Sequence, residues 1–265
     1  MTDSALHHES SLFESEFALS ELFDFNIDAK LKKKYIILSS PRTGSTMLAS
    51  ALYNSGVAGA PFEYFHKNLL ALRNNPERRP NELNQYLEEM IARRTSPNGY
   101  FGMKLHFGQF EYLFGANPVA TEIGVKFISE FDKHILIYRR DKILQAVSAL
   151  LASEAKIWSR TSLERDQLLG RSIEPDDVVG ISSALNAYVK SDQAWRKVLK
   201  SANVKFMDVA YEDLCDRPEQ EMKRVYDYLE IEMPSEIPAH FPTEKLTNIE
   251  LTNELKQRFL EEIGA

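Results

Sequence analysis

The chain has 265 residues, of which 43% are hydrophobic and 27% charged, a globular composition that excludes wholesale disorder. Its net charge of −7 comes from the first 29 residues, which hold seven acidic residues and no Lys or Arg, because the remaining 32 acidic residues balance 32 basic ones. Because the chain after residue 29 has no excess positive charge, nucleic acid is disfavoured as the main partner.

Location and redox chemistry are constrained by what the sequence lacks. No apolar run approaches the ~20 residues of a membrane span, so we predict a soluble protein with no membrane span. The N-terminus lacks the basic-then-apolar order of a secretory signal, and Cys215 is a single cysteine, which together predict a cytoplasmic protein without an internal disulfide. His7 and His8 have no nearby ligand spacing, and we predict no metal site.

Residues 1–34 form an acidic N-terminal arm, and residues 35–265 are predicted to form one domain. Apolar residues at spacings of three and four predict one short amphipathic helix in the arm: Leu12, Phe13, Phe17, Leu19, Leu22 and Phe23. This helix packs either on its own domain or on a partner subunit, so the sequence leaves a homodimer open.

Strands and helices alternate along the rest of the chain. The run Tyr35 to Leu38 predicts a buried strand, followed by a loop and a helix through Leu48, Leu52 and Tyr53. Further strands are predicted at 100–105, 134–138 and 204–209, each followed by a helix, at 107–114, 143–157 and 219–229. Other helices are predicted at 82–93, 175–200 and 248–263. Repeated strand-then-helix units predict a parallel sheet covered by helices.

Residues 39–47, Ser-Ser-Pro-Arg-Thr-Gly-Ser-Thr-Met, lie where the first strand passes into a helix. Gly44 lets the backbone turn closely around an anion, the following helix directs its N-terminal amides at it, and Arg42 adds a planar charged fork. The triphosphate motif G-x-x-x-x-G-K-[ST] would need an earlier Gly and a Lys before Ser45, which disfavours an ATPase. Together, the repeated strand-then-helix order and this anion cradle assign the fold to the α/β class, as a P-loop-like three-layer fold with a central, mostly parallel sheet covered by helices.

Several blocks of sequence resemble one family. The block 35–66, with Ser-Pro-Arg-Thr-Gly-Ser-Thr and Gly-Val-Ala-Gly-Ala-Pro-Phe-Glu-Tyr-Phe-His, closely resembles the bacterial trehalose 2-sulfotransferase-like family, which uses 3′-phosphoadenosine-5′-phosphosulfate (PAPS). Residues 102–105 and 137–148 resemble the family's next strand and its 3′-phosphate motif, and 209–214 is similar to a late segment of sulfotransferases generally. The resemblance covers most of residues 35–230 and implies a PAPS-dependent sulfotransferase of the EC 2.8.2 type.

The resemblance also implies which residues bind the donor. It assigns the 5′-phosphosulfate to the loop residues Arg42, Thr43, Gly44, Ser45 and Thr46. For the 3′-phosphate it implies Ser148 and an Arg at the end of the third strand. Arg139 matches the trehalose-type spacing of nine residues before Ser148, and Arg140 has the spacing of eight seen in many other sulfotransferases.

Glu63 matches the general base of the resembled family. Its aromatic neighbours in Pro-Phe-Glu-Tyr-Phe predict a desolvated carboxylate whose neutral form is favoured. Most other sulfotransferases use a His base, so His66 and His106 are alternatives. Lys104, at a predicted strand end, is a candidate to neutralise the leaving bridging oxygen.

The acceptor is predicted to be a carbohydrate or glycolipid hydroxyl. The residues expected to contact it are Pro41, Ala60, Phe65, His66 and Trp158. In the trehalose-type pattern a Gln and a Glu stand where this chain has Pro41 and Ala60, which disfavours trehalose itself.

The leading hypothesis is a cytoplasmic PAPS-dependent carbohydrate sulfotransferase. The alternatives are a nucleotide-dependent small-molecule kinase, disfavoured by the missing Lys, and a non-catalytic PAPS-binding protein, which would need no Glu63.

Overall fold

The computed structural model describes residues 21–25, 29–65, 79–115, 122–155, 175–235 and 249–264. Two residues expected to contact the acceptor, His66 and Trp158, lie outside these ranges, as does most of the predicted helix of the arm. None of the helices described is both long and apolar enough to cross a bilayer.

Four parallel strands form the sheet that the structure describes. They are β1 (Lys33–Ser39), β2 (Tyr100–His106), β3 (Lys133–Tyr138) and β4 (Met207–Ala210), in the order β2-β1-β3-β4. The run Tyr35 to Leu38 is at most 1% exposed because helices cover both faces of the sheet, as the continuous apolar sequence predicts. The chain leaves β1 toward β2 on one side and then crosses to β3 on the other. The carboxyl end of β1 is therefore a topological switch point, where open α/β sheets bind ligands.

Helices cover both faces of the sheet. The helices that the structure describes are α1 (Ser45–Asn54), α2 (Arg79–Arg94), α3 (Phe107–Phe114), α4 (Glu122–Ser129), α5 (Lys142–Ala155), α6 (Pro175–Ser201), α7 (Tyr211–Asp216), α8 (Pro218–Leu229) and α9 (Ile249–Glu262). Helices α1 and α8 pack on the face that carries Tyr35 and Ile37. Helices α2, α3, α4 and α6 pack on the opposite face, against Ile36 and Leu38. The predicted three-layer α/β fold is confirmed.

The structure differs from the sequence prediction at three places. Strand β4 begins at Met207 rather than Val204, because the chain turns after α6 through Asn203, at φ 52°, and the Val204 amide still donates to the Leu199 carbonyl. Helices α4 and α7 were not predicted. They have eight and six residues, too short for a helical period to stand out.

The last part of the arm packs on the domain. Phe23 is 5% exposed, and its ring lies 5.6 Å from that of Tyr53 and 5.3 Å from that of Phe62. The Asp24 carboxylate pairs with Arg93 at 2.9 Å and with the buried Arg94 at 3.1 Å. Residues 21–25 are therefore part of the same packed unit as the sheet.

Candidate active site

The loop between β1 and α1 has the backbone of an anion cradle. Gly44 stands at the N-cap of α1 with φ 77°, and a Cβ there would lie 2.5 Å from Cδ2 of Tyr211. Only glycine fits this position, because both the left-handed conformation and the neighbouring ring exclude a side chain. The Thr43 hydroxyl donates to the Ser40 carbonyl at 2.9 Å and closes the turn. Ser45 and Thr46 then occupy the first helical positions, where unpaired amides favour an anion.

Two arginines lie beside this loop. Arg42 Nε donates to Ser148 Oγ at 3.1 Å, and Ser148 is only 4% exposed. The Arg139 guanidinium lies 4.7 Å from the ring centroid of Tyr211. Burial raises the pKa of Tyr211 to about 12, so its side chain stays neutral. Burial and, to a smaller extent, the nearby charge of Arg139 lower the pKa of Arg42. Two partly buried cations close to each other favour the binding of an anion.

Arg139 and Arg140 are adjacent in the sequence but have different partners in the structure. Arg140 donates to both carboxylate oxygens of Asp213, at 2.9 and 2.6 Å, and its backbone amide donates to Glu212. Arg139 points to Tyr211, and its Nε atom is shielded from solvent with no hydrogen-bond partner among the described residues. An unsatisfied buried donor needs an acceptor, so the geometry favours Arg139 over Arg140 as an anion ligand.

The Glu63 carboxylate is surrounded by donors. Its Oε1 lies 2.6 Å from Lys104 Nζ and 3.1 Å from His106 Nε2, and its Oε2 accepts from Gln109 Nε2 at 3.0 Å. Burial alone would raise the pKa of Glu63, but the charges and hydrogen bonds of His106 and Lys104 outweigh it and hold the pKa well below its usual range. The predicted preference for the neutral form is therefore wrong. The aromatic neighbours are local in sequence, whereas Lys104 and His106 both come from β2.

Lys104 joins the carboxylate to the loop. Its side chain is 2% exposed, and Nζ also donates to Thr46 Oγ1 at 2.8 Å. This reach follows from the register of the sheet, in which Lys104 pairs with Ile37 and His106 pairs with Ser39 at the end of β1. The Ser39 hydroxyl lies 2.9 Å from His106 Nδ1. Parallel pairing thus brings the candidate base, its partners Lys104 and His106, and the anion loop to one edge of the sheet.

The segment just before Glu63 is held by backbone hydrogen bonds to β2 and to the end of α2. The Lys104 amide donates to the Phe62 carbonyl at 2.9 Å, and the Ala60 amide donates to the Arg94 carbonyl at 3.3 Å. Ala60 is fully buried and Phe65 is 2% exposed, whereas Pro41 is partly exposed in the loop. Contact of these three residues with the acceptor stays a prediction.

Two residues at this edge had not been singled out from the sequence. Tyr211, which lies between Gly44 and Arg139, stood in the segment 209–214 without an assigned role. Gln109 lies three residues after His106, and its Oε1 accepts from the His106 amide at 2.9 Å. That spacing is the one signal that could have indicated Gln109, because a side chain at this position of a helix often caps its start.

Comparison with known proteins identifies the family. Residues 34–262 match the model of the Stf0 sulphotransferase family. The chain is 26% identical over 211 residues to the trehalose 2-sulfotransferase of Mycolicibacterium smegmatis (strain ATCC 700084 / mc(2)155), covering 67% of this chain and 76% of the relative.

Two solved structures are more distant. The sulfotransferase domain from the curacin biosynthetic pathway has a TM-score of 0.45 at 15% identity, covering 89% of this chain and 99% of that one. The sulfotransferase domain from the Synechococcus PCC 7002 olefin synthase has a TM-score of 0.42 at 14% identity, covering 90% and 97%. Neither likeness adds to the family assignment.

A glycine-containing loop at the switch point of a parallel sheet, with a carboxylate and a lysine beside it, marks the ligand-binding edge of an open α/β protein. The family match then identifies which class of α/β protein this is. The chain belongs to the Stf0 sulphotransferase family and is a sulfotransferase.

Proposed function

We propose that this protein transfers the sulfuryl group of PAPS to a hydroxyl of a carbohydrate or glycolipid acceptor. The observation that carries the proposal is the shielded Arg139 Nε, which has no hydrogen-bond partner among the described residues and lies beside the loop that holds Arg42. We assign one anion position to the loop and a second one to Arg139. A donor with charged groups on both its 5′ and 3′ sides fits this arrangement better than ADP or ATP does.

The residues of the site fit the donor as follows. The amides and hydroxyls of residues 43–46 and the guanidinium of Arg42 would hold the 5′-phosphosulfate, and Arg139 and Ser148 would hold the 3′-phosphate. When bound, PAPS supplies a sulfuryl group on a phosphate oxygen, and that oxygen keeps the electron pair of the broken bond. In the described residues, no group of three or more His, Cys, Asp or Glu side chains could hold a metal ion.

Glu63 is the proposed base that takes the proton of the acceptor hydroxyl. Its low pKa keeps it ionised at neutral pH, the form that can accept a proton, although a lower pKa also makes it a weaker base. His106 and Gln109 hold the carboxylate in place. Lys104, between Glu63 and Thr46, is the cation placed to neutralise negative charge near the loop.

Carbohydrate is the acceptor class that the family relative supports, since that relative is by name a trehalose 2-sulfotransferase. In the first experiment, thermal unfolding is followed with 3′-phosphoadenosine-5′-phosphate (PAP), ADP and ATP. PAP at a hundredfold excess over its dissociation constant should stabilise the fold by ~2.7 kcal/mol, with much smaller shifts from ADP. Equal shifts would refute the 3′-phosphate assignment.

The second experiment incubates labelled PAPS with a panel of free sugars and glycolipids. Label should appear on at least one acceptor, and the panel identifies which. Tight PAP binding with no transfer to any hydroxyl would favour a non-catalytic PAPS-binding protein instead.

A further inference from the structure

Four polar side chains form a closed hydrogen-bonded ring behind the anion loop. Gln145 Nε2 donates to Ser40 Oγ at 3.0 Å, and Lys142 Nζ donates to Gln145 Oε1 at 3.0 Å. Lys142 also pairs with Asp192, whose other oxygen accepts from Ser40 Oγ at 3.4 Å. We call these four residues the Ser40 ring. It joins the loop to α5 and α6, and both Ser40 and Gln145 are 0% exposed.

Gln145 makes a second contact, with the backbone of the loop itself. Its Nε2 donates to the Pro41 carbonyl at 2.7 Å. That carbonyl belongs to the same peptide plane as the amide of Arg42, so the bond limits rotation about the Arg42 N–Cα axis. Arg42 has φ 64°, in the left-handed region that non-glycine residues rarely adopt. Such a conformation persists only where the surroundings hold it.

Helix α5 also holds the side chain of Arg42. Ser148 lies three residues after Gln145 on the same helix, and residues at this spacing share a face. Its hydroxyl accepts from Arg42 Nε at 3.1 Å. One face of α5 therefore holds both the backbone and the guanidinium of Arg42.

We propose that Gln145 is a positioning residue for the sulfuryl donor, which keeps the Pro41–Arg42 peptide in its anion-binding orientation before the donor arrives. The inference rests on the proposed function, because it assumes that the donor binds in the loop. If the loop populates other conformations, the apparent dissociation constant rises in inverse proportion to the competent fraction. The ring would thus act on donor affinity rather than on the chemical step.

The test compares Gln145→Met with the control Val225→Ala. Methionine keeps the length of the side chain and removes all three hydrogen bonds of the amide. Val225 is buried in α8, and its truncation lowers stability without touching the loop or the ring. Calorimetry with PAP, steady-state kinetics with PAPS and chemical unfolding are measured for both variants and the wild type.

Gln145→Met should bind PAP ~10-fold more weakly and raise KM for PAPS by a similar factor, with kcat changed much less. Val225→Ala should keep the wild-type affinity for PAP at a comparable loss of stability. Equal weakening in both variants, or unchanged PAP affinity in Gln145→Met, would overturn the inference. Wild-type protein that does not bind PAP would instead refute the proposed function.

If Gln145→Met does not fold, Asp192→Asn takes its place. Asparagine keeps an oxygen for the Ser40 hydroxyl but removes the charge opposite Lys142, so one side of the ring loosens. PAP should then bind ~3-fold more weakly. Unchanged affinity in this variant overturns the inference as well.

Discussion

Replacing Glu63 by Gln removes a charge from the candidate site while keeping its shape. The amide oxygen can still accept from Lys104 or His106, but the side chain can no longer take a proton. We therefore expect PAP affinity to be retained and turnover to fall by ~10²- to 10⁴-fold, the usual contribution of a general base. The amide nitrogen would also face Gln109 Nε2, which now donates to Glu63 across 3.0 Å, so two donors would oppose each other.

The structure also sets the expected loss of stability. Lys104 is 2% exposed, and Glu63→Gln leaves its ammonium opposite a neutral group. Removing one partner of a fully buried ion pair costs roughly 3–5 kcal/mol. Here the Glu63 side chain is 21% exposed and an amide oxygen remains, so we expect a loss of about 1–3 kcal/mol. Adding Lys104→Met should recover most of it, because no unpaired buried charge is left.

Initial rates with labelled PAPS, PAP calorimetry and urea unfolding measure the three effects separately. Glu88→Gln, an exposed substitution on α2, is the matched control and should change none of them. Turnover of Glu63→Gln near the wild-type rate, with the donor still bound, would refute the role of Glu63. His106 would then be the base to test by the same separation of binding from turnover.

The ion pair also predicts how stability depends on pH. The pKa of Glu63 is lowered by folding from an unfolded value of about 4.3. The carboxylate therefore stabilises the folded state above that value, and its contribution is lost as the pH falls through the lower folded pKa. The difference in unfolding free energy between wild type and Glu63→Gln should be largest near neutral pH and shrink in acid. A difference that grows below pH ~4 would contradict the assigned charge state.

Two further substitutions test the donor site. Arg139→Gln should weaken PAP binding by about 1.5–3 kcal/mol and leave ADP binding nearly unchanged, whereas Arg140→Gln, whose partners lie near the surface, should affect neither in calorimetry. Equal effects of the two substitutions would contradict the assignment. Gly44→Ala should destabilise the fold by about 1–3 kcal/mol and weaken PAP binding, because its Cβ would meet Tyr211 at φ 77°. The control is Gly56→Ala, because Gly56 has φ 71° with open space around it, so alanine there adds the backbone strain without the clash. An equal loss of stability in both variants would exclude a role for the Tyr211 ring.

The sequence predicted those parts of the site that are contiguous in the chain. The buried run of β1, the loop and the start of α1 follow one another, so their order alone indicates a strand, an anion cradle and a helix. The spacing between Arg139 and Ser148 is a local signal of the same kind, and the 3′-phosphate assignment that rests on it stays a prediction. In each case one segment of chain contains the whole signal.

The remaining features depend on contacts between distant segments. The charge state of Glu63 depends on Lys104 and His106, which reach it only because β2 pairs with β1 in parallel. The difference between the two arginines depends on Asp213 and on the ring of Tyr211, both in a short helix that was not predicted. No local periodicity or spacing reports such contacts.

The packing of residues 21–25 moves the start of the folding unit ahead of the start of the family match. The match begins at residue 34, but Asp24 provides a carboxylate to the fully buried Arg94. Phe23 fills a space beside Phe62, the neighbour of Glu63. A protein cut at the family boundary would lose both contacts at once, and emptying the space of one core Phe by itself costs about 3–5 kcal/mol. A homology boundary marks where sequences resemble one another, and in this chain packed contacts reach back to Phe23, ahead of that boundary.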